Sequence, residues 1–175
     1  VIARFNGDIA SVEIVSAGSE EARVYFEVDL AGGADALMAE MSALPIVRHA
    51  MAVCQELAIK TRASIDYEGP QLLPRVRISA TELMQVLINL VANATQAIAA
   101  RGVPNGRVSI QARTDDGMLE FQVTDTGIGM NRETLDRIGT PFFTTRPEGT
   151  GLGIAQCQRL IGIAGGRLKI DSEQG

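Results

Sequence analysis

Apolar residues change their spacing several times along the chain, and each change marks an element. Over residues 1–30 they alternate, with Ile9, Val12 and Ile14 on one side of a turn at Ala17-Gly18-Ser19 and Val24, Phe26 and Val28 on the other. A period of two puts alternate side chains on opposite faces, so a β-hairpin is expected, with Ala31-Gly32-Gly33-Ala34 as a joint after it. From Leu44 the step becomes three and four. Leu44, Val47, Met51, Cys54, Leu57 and Ala58 make one apolar face of a helix over residues 36–61. Ala63–Tyr67 reads as a strand, Gly69-Pro70 and Leu73-Pro74 punctuate, and Val76 with Ile78 suggests a second short strand. Ser79-Ala80-Thr81-Glu82 is a capping box, in which serine and glutamate each satisfy a free backbone donor. It opens a helix over 80–100 whose apolar face is Leu83, Val86, Leu87, Leu90, Val91 and Ala94.

The second half alternates again. Val108, Ile110 and Ala112, then Leu119, Phe121 and Val123, form two strands turned by Asp115-Asp116-Gly117. A short helix over Asn131–Ile138, capped by Asn131, follows. Leu152, Ala155, Leu160 and Ile163 give a further amphipathic helix that ends at Gly165-Gly166, and Leu168 and Ile170 begin a last strand.

Composition narrows the class. The chain is 46% hydrophobic and 21% charged, enough to bury a core. A net charge of −5 argues against a nucleic-acid surface. The two cysteines, Cys54 and Cys157, lie inside helical patterns and read as small buried thiols, with no disulfide framework or metal-ligand spacing. The uncharged run Leu83–Ala100 carries Gln, Asn and Thr, a poor membrane span, and no signal peptide is seen, so a soluble domain in the cytoplasm is expected.

Three stretches carry candidate chemistry. Asp125-Thr126-Gly127-Ile128-Gly129-Met130 places a carboxylate at a strand end, then two glycines where the backbone can approach a flat ligand; an ionised Asp accepts hydrogen bonds only, which suits an exocyclic amine. Gln85, Asn89 and Asn93 lie four apart on an otherwise apolar helix, so their amides should face a network, a cavity or a ligand; an Asn oxygen is also a hard ligand for Mg²⁺. The long segment from Gly139 to Gly153, through Pro141-Phe142-Phe143-Thr144-Thr145-Arg146, reads as a lid with glycine hinges running into a helix N-terminus, a ready phosphate site. His49, the only histidine, has no neighbouring carboxylate to activate it and reads as a solvated surface residue.

In this order these stretches resemble the ATP-binding domain of sensor histidine kinases, within the Bergerat-type ATP-binding superfamily. The asparagine box is Glu82–Ala97, the first glycine box Asp125–Met130, the phenylalanine box Pro141–Arg146 and the second glycine box Gly149–Gly153. The resemblance implies a two-layer α/β sandwich, a mixed sheet backed by helices 80–100 and 152–163, binding ATP and Mg²⁺. It implies that Asp125 reads adenine, that Gly127 and Gly129 shape the base pocket, and that Asn93 holds Mg²⁺. Asn89, Thr145 and Arg146 would face the phosphates, with Gly149, Thr150, Gly151, Leu152 and Gly153 as the lid's phosphate side. Arg146 stands where the family commonly has lysine and offers a planar fork instead of a point charge.

The implied activity is transfer of the ATP γ-phosphoryl group to a histidine on a dimerisation segment that this fragment lacks. A response regulator and a homodimer would be the partners of a full-length protein, which the sequence leaves free to be membrane-anchored. Two alternatives remain: an ATP hydrolase of the same superfamily and a non-catalytic nucleotide-sensing scaffold. The hydrolases carry a glutamate base one turn before the metal asparagine, where this chain has Asn89. Residues 36–175 are expected to be the ATP-binding domain with its C-terminal strand truncated. Residues 1–35 would be either the tail of an upstream module or displaced edge strands, with 22–30 pairing beside Leu168–Ile170.

Overall fold

The computed structural model describes residues 22–29, 43–102, 104–115, 117–147 and 149–173. Five strands form one mixed sheet: β1 (Ala22–Asp29), β2 (Ala63–Glu68), β3 (Gly106–Asp115), β4 (Met118–Asp125) and β5 (Arg167–Asp171), in the spatial order β2-β3-β4-β1-β5. The β2–β3 pair is parallel and the other three pairs are antiparallel. Four helices occur among the described residues: α1 (Ala43–Thr61), α2 (Ala80–Arg101), α3 (Arg132–Arg137) and α4 (Gly153–Ile163). Of these α1, α2 and α4 pack into a layer over one face of the sheet. This is the two-layer α/β sandwich expected.

The core follows the alternation in the sequence. Phe26 and Val28 of β1, Val108 and Ile110 of β3, and Leu119, Phe121 and Val123 of β4 point inward, where Leu83, Val86, Leu87 and Leu90 of α2 meet them. The other face is polar and cross-linked, for example by Arg113 to Glu120 at 2.9 Å and Gln111 to Glu68 at 2.9 Å. Among the described residues α2 is the one helix long and apolar enough to cross a membrane; here its apolar stripe is the centre of the core.

The local signals translate closely. Ser79 Oγ accepts from the Glu82 N–H at 3.2 Å, and the Glu82 carboxylate accepts back from the Ser79 N–H at 3.2 Å, closing the capping box. Asn131 caps α3 through Thr134 N–H at 2.9 Å. Cys54 and Cys157 are free and buried. The helix expected over 36–61 runs from Ala43 to Thr61, its earlier part lying outside the described residues.

Two readings change. Val76 and Ile78 make no strand, only an isolated bridge at Val76; Leu73, Val76 and Ile78 are buried one by one, so the stretch is pinned by its apolar side chains and not by a ladder. Residues 22–29 do form the strand that pairs with 167–171, Phe26 opposite Leu168, yet β1 is no edge: its other side runs against the whole of β4, with Ala22 opposite Asp125. Among the described residues the edge position falls to the shorter β5. The companion strand expected around Ile9–Ile14 lies outside the described residues.

Candidate nucleotide site

Helix α2 is the rod along which the candidate site is built. Asn89 and Asn93 lie one turn apart on its half-buried flank, while Gln85, the third amide of the stripe, is exposed. Asn93 Oδ1 accepts a hydrogen bond from Arg146 Nη2 at 2.6 Å, which joins the helix to the lid. Partial burial lowers the Arg146 pKa, but a guanidinium stays charged, so a cation sits on this amide oxygen. Asn89 Nδ2 is buried on the same flank, where its nearest acceptor is the weakly accepting Cys157 sulfur of α4. Both asparagines face the first turn of α4: a Cβ on Gly153 would stand 3.9 Å from Asn89 Cγ and from Asn93 Nδ2. That helix begins at an exposed Leu152 with no side-chain cap, leaving its first N–H groups available.

The lid is folded on itself. Phe142 N–H donates to Gly151 C=O at 3.0 Å, tying its two ends. A Cβ on Gly151 would come within 2.4 Å of the Phe142 carbonyl carbon, and its φ is +67°, so glycine is required there on both counts. Thr144 Oγ1 accepts from Arg146 N–H at 3.1 Å, and Gly149 N–H donates to Arg146 C=O at 3.1 Å. Arg137 of α3 lies over the Phe143 ring at 4.2 Å, a cation–π contact that seats the lid base. Phe142 itself is 76% exposed in a left-handed conformation. Thr145 and Thr150 are exposed on the same segment.

One turn further along α2 from Asn93, Ala97 supports the second half of the site. Its carbonyl accepts from Ile128 N–H at 3.1 Å. Asp125 is buried, and its Oδ1 accepts from Gly127 N–H at 2.8 Å. A Cβ on Gly127 would meet Ala97 Cβ at 2.5 Å and Asp125 Oδ1 at 2.6 Å. Gly127→Ala should therefore cost about 1–3 kcal/mol of stability by overpacking and push the carboxylate out of place, read in urea unfolding and in a nucleotide titration. Gly129 takes a left-handed φ of +69°, a conformation that favours glycine. The structure so brings Asn89, Asn93, Arg146 and Gly153 together, with Asp125 and Gly127 beside them along one helix. His49 is exposed on α1 and takes no part.

Residues 78–175 match the family described as histidine kinase-, DNA gyrase B- and HSP90-like ATPase. The chain belongs to this family. Among members of this ATPase family it is similar to the sensor histidine kinase ZraS of Escherichia coli (strain K12), 33% identical over 130 residues that are 74% of this chain and 27% of the relative. Sporulation kinase C of Bacillus subtilis (strain 168) is 39% identical over 94 residues, 54% of this chain and 21% of the relative. The chain thus spans about a quarter of the length of such curated relatives. Among solved structures, the nucleotide-free catalytic domain of histidine kinase ThkA superposes with a TM-score of 0.62 at 26% identity, covering 77% of this chain and 93% of that one. Full-length ShkA in complex with AMPPNP gives 0.57 at 26% identity, covering 71% of this chain and 25% of that one. This ATPase-family chain is accordingly built as a histidine kinase ATP-binding domain.

Two members of the site gave no signal in the sequence reading: Arg101, which reaches the Thr126 carbonyl, and Ser172, which reaches the Met130 N–H. Both contacts are long-range in sequence, and neither residue sits inside a recognisable box.

Proposed function

We propose that this chain binds Mg·ATP and presents its γ-phosphoryl group to a histidine carried by a dimerisation segment, as the catalytic domain of a two-component sensor kinase acting in the cytoplasm. The observation that carries the reading is the meeting of Asn93, Asn89, Arg146 and Gly153 on the flank of α2, with Gly127 and the buried carboxylate of Asp125 further along the same helix at Ala97. Residues 22–29 and 43–173 act as one nucleotide-binding unit.

The residues present fit the cofactor. Asn93 Oδ1 already accepts a cation, the Arg146 guanidinium, on the atom a hard metal ion would take. Among the described residues no group of three His, Cys, Asp or Glu could hold a metal alone, so an ion at Asn93 would draw its remaining ligands from phosphate and water. Bound there, Mg²⁺ would neutralise phosphate charge during transfer. The chain's own work is positioning. Asp125 accepts from the base amine, the Asn89 amide exchanges the weak Cys157 sulfur for a phosphate oxygen, and the open N-terminus of α4 stabilises anionic charge. Arg146 is then free to exchange Asn93 for phosphate.

A hydrolase reading needs a carboxylate where Asn89 stands, and an amide accepts no proton at neutral pH. Glu82 cannot substitute, since both its partners are in the cap of α2. A response regulator and a second kinase copy are the partners of the proposed activity. Calorimetry tests it. The chain should bind ATP in a Mg²⁺-dependent way, and Asp125→Asn should weaken that binding about 10–100-fold, the range for one hydrogen bond to a charged group. A chain that bound no adenine nucleotide would leave only a scaffold of the family's shape.

A further inference from the structure

The adenine loop, residues 125–130, is held from outside the boxes that define the site. Arg101 in the last turn of α2 donates from Nη1 to Thr126 C=O at 3.0 Å. At the other end Met130 N–H donates to Ser172 Oγ at 2.9 Å, from the residue just after β5. Between them the backbone rests on the Ala97 carbonyl through Ile128 N–H. The start of the loop is also stitched to β3, with Thr126 N–H on Arg107 C=O at 3.2 Å and Arg107 N–H on Thr126 Oγ1 at 3.0 Å.

We propose that Arg101 and Ser172 are positioning residues that clamp the two ends of this loop and thereby set the preference of the pocket for adenine over guanine. This rests on the nucleotide-binding function proposed above. The argument is geometric. A carboxylate distinguishes the bases by meeting an exocyclic amine in adenine and a carbonyl oxygen at the same ring position in guanine. If the loop can shift, guanine slides until its own amine reaches the carboxylate, and discrimination falls while affinity for a nucleotide persists. Selectivity therefore needs Asp125 and Gly127 fixed to a fraction of an ångström by groups that are themselves fixed. Asp125 is anchored within the loop by Gly127 N–H, so what fixes Gly127 fixes the carboxylate.

Arg101 rides on the same helix as Asn93, so the base end and the metal end of the site share one rigid support. Ser172 directly follows β5, whose strand partner is β1. Residues 22–29, outside the stretch matched to the family, are thereby linked through β5 to the adenine loop.

The test uses the full chain and measures ATP and GTP dissociation constants, each with Mg²⁺, for Arg101→Ala, Ser172→Ala and their double mutant. Each single change should lower the ATP:GTP preference about five- to tenfold, chiefly by raising GTP affinity relative to ATP. The double mutant should lose less than the product of the two, because both act on one loop. Arg101→Lys and Ser172→Thr, which keep a donor and a hydroxyl, should recover part of the preference. If Arg101→Ala does not fold, the serine pair carries the test alone. An unchanged ATP:GTP ratio in folded variants, whatever their melting temperature, overturns the clamp and leaves the binding function standing. A parent chain that binds neither nucleotide removes both.

Discussion

Asn93→Ala should abolish phosphoryl transfer, by about a thousandfold or more, and erase the Mg²⁺ dependence of ATP binding while leaving the fold intact. Asn93 is half-buried on the flank of α2, not on its core face, so truncating it opens no cavity among Leu83, Leu87 and Leu90. What it removes is the oxygen that now accepts from Arg146 at 2.6 Å. A metal ion held by this oxygen would supply several kcal/mol of charge stabilisation to the transition state, and each 1.4 kcal/mol is tenfold in rate. Binding should suffer less than transfer, because the base pocket at Asp125 is untouched. Calorimetry with and without Mg²⁺, alongside transfer to a separately supplied histidine-bearing segment, separates the two effects. An Asn93→Ala chain that still needed Mg²⁺ for tight binding would place the metal elsewhere.

The Arg146–Asn93 contact gives this prediction a second reading at the lid. The guanidinium and the amide satisfy each other, which holds the lid end of the site near α2. In the proposed Mg·ATP complex, phosphate would offer the guanidinium a stronger, charged acceptor and the metal would offer the amide oxygen a harder cation, so the exchange would be favourable on both sides. Lysine at this position could follow as a point charge, whereas the planar guanidinium fork is shaped for bidentate contact with phosphate.

How much of this was legible in the sequence depends on the range of the interaction. The alternation behind β1 to β5, the Ser79–Glu82 capping box and the Asn131 cap are set by residues within a few positions of each other, and all appear in the structure. The apolar stripe of α2 predicted the layer it packs in because burial follows a fixed period. What failed was local pattern without a partner. Val76 and Ile78 alternate, yet among the described residues only an isolated bridge at Val76 forms, so they are buried without a ladder. The interior place of β1 was also beyond pattern. Alternation says that residues 22–28 have one buried face; it cannot say that both edges are hydrogen-bonded. In the site, the boxes named Asn93, Asp125 and Arg146, whereas Arg101 and Ser172 show themselves only when residues 25 and 42 positions apart meet.

Phe26→Ala should destabilise the domain by about 3–5 kcal/mol, a large share of the roughly 5–15 kcal/mol that holds a domain of this size together. Phe26 has no exposed surface and stacks on Phe121 with ring centroids 4.9 Å apart and planes 21° apart, in the middle of the ladder that joins β1 to β4. Its removal leaves a cavity between two strands that cannot both close on it, because β1 is held on its other side by β5. The loss should appear as a lower urea midpoint at unchanged slope. A substitution on the polar face of the same strand, such as Tyr25→Ala, should move the midpoint far less, so the pair separates packing from strand propensity. If β1 were a separate appendage, Phe26→Ala would leave the midpoint of the ATP-binding unit where it was. A full effect would mean instead that a strand preceding the family's matched stretch is part of the core on which the nucleotide site stands.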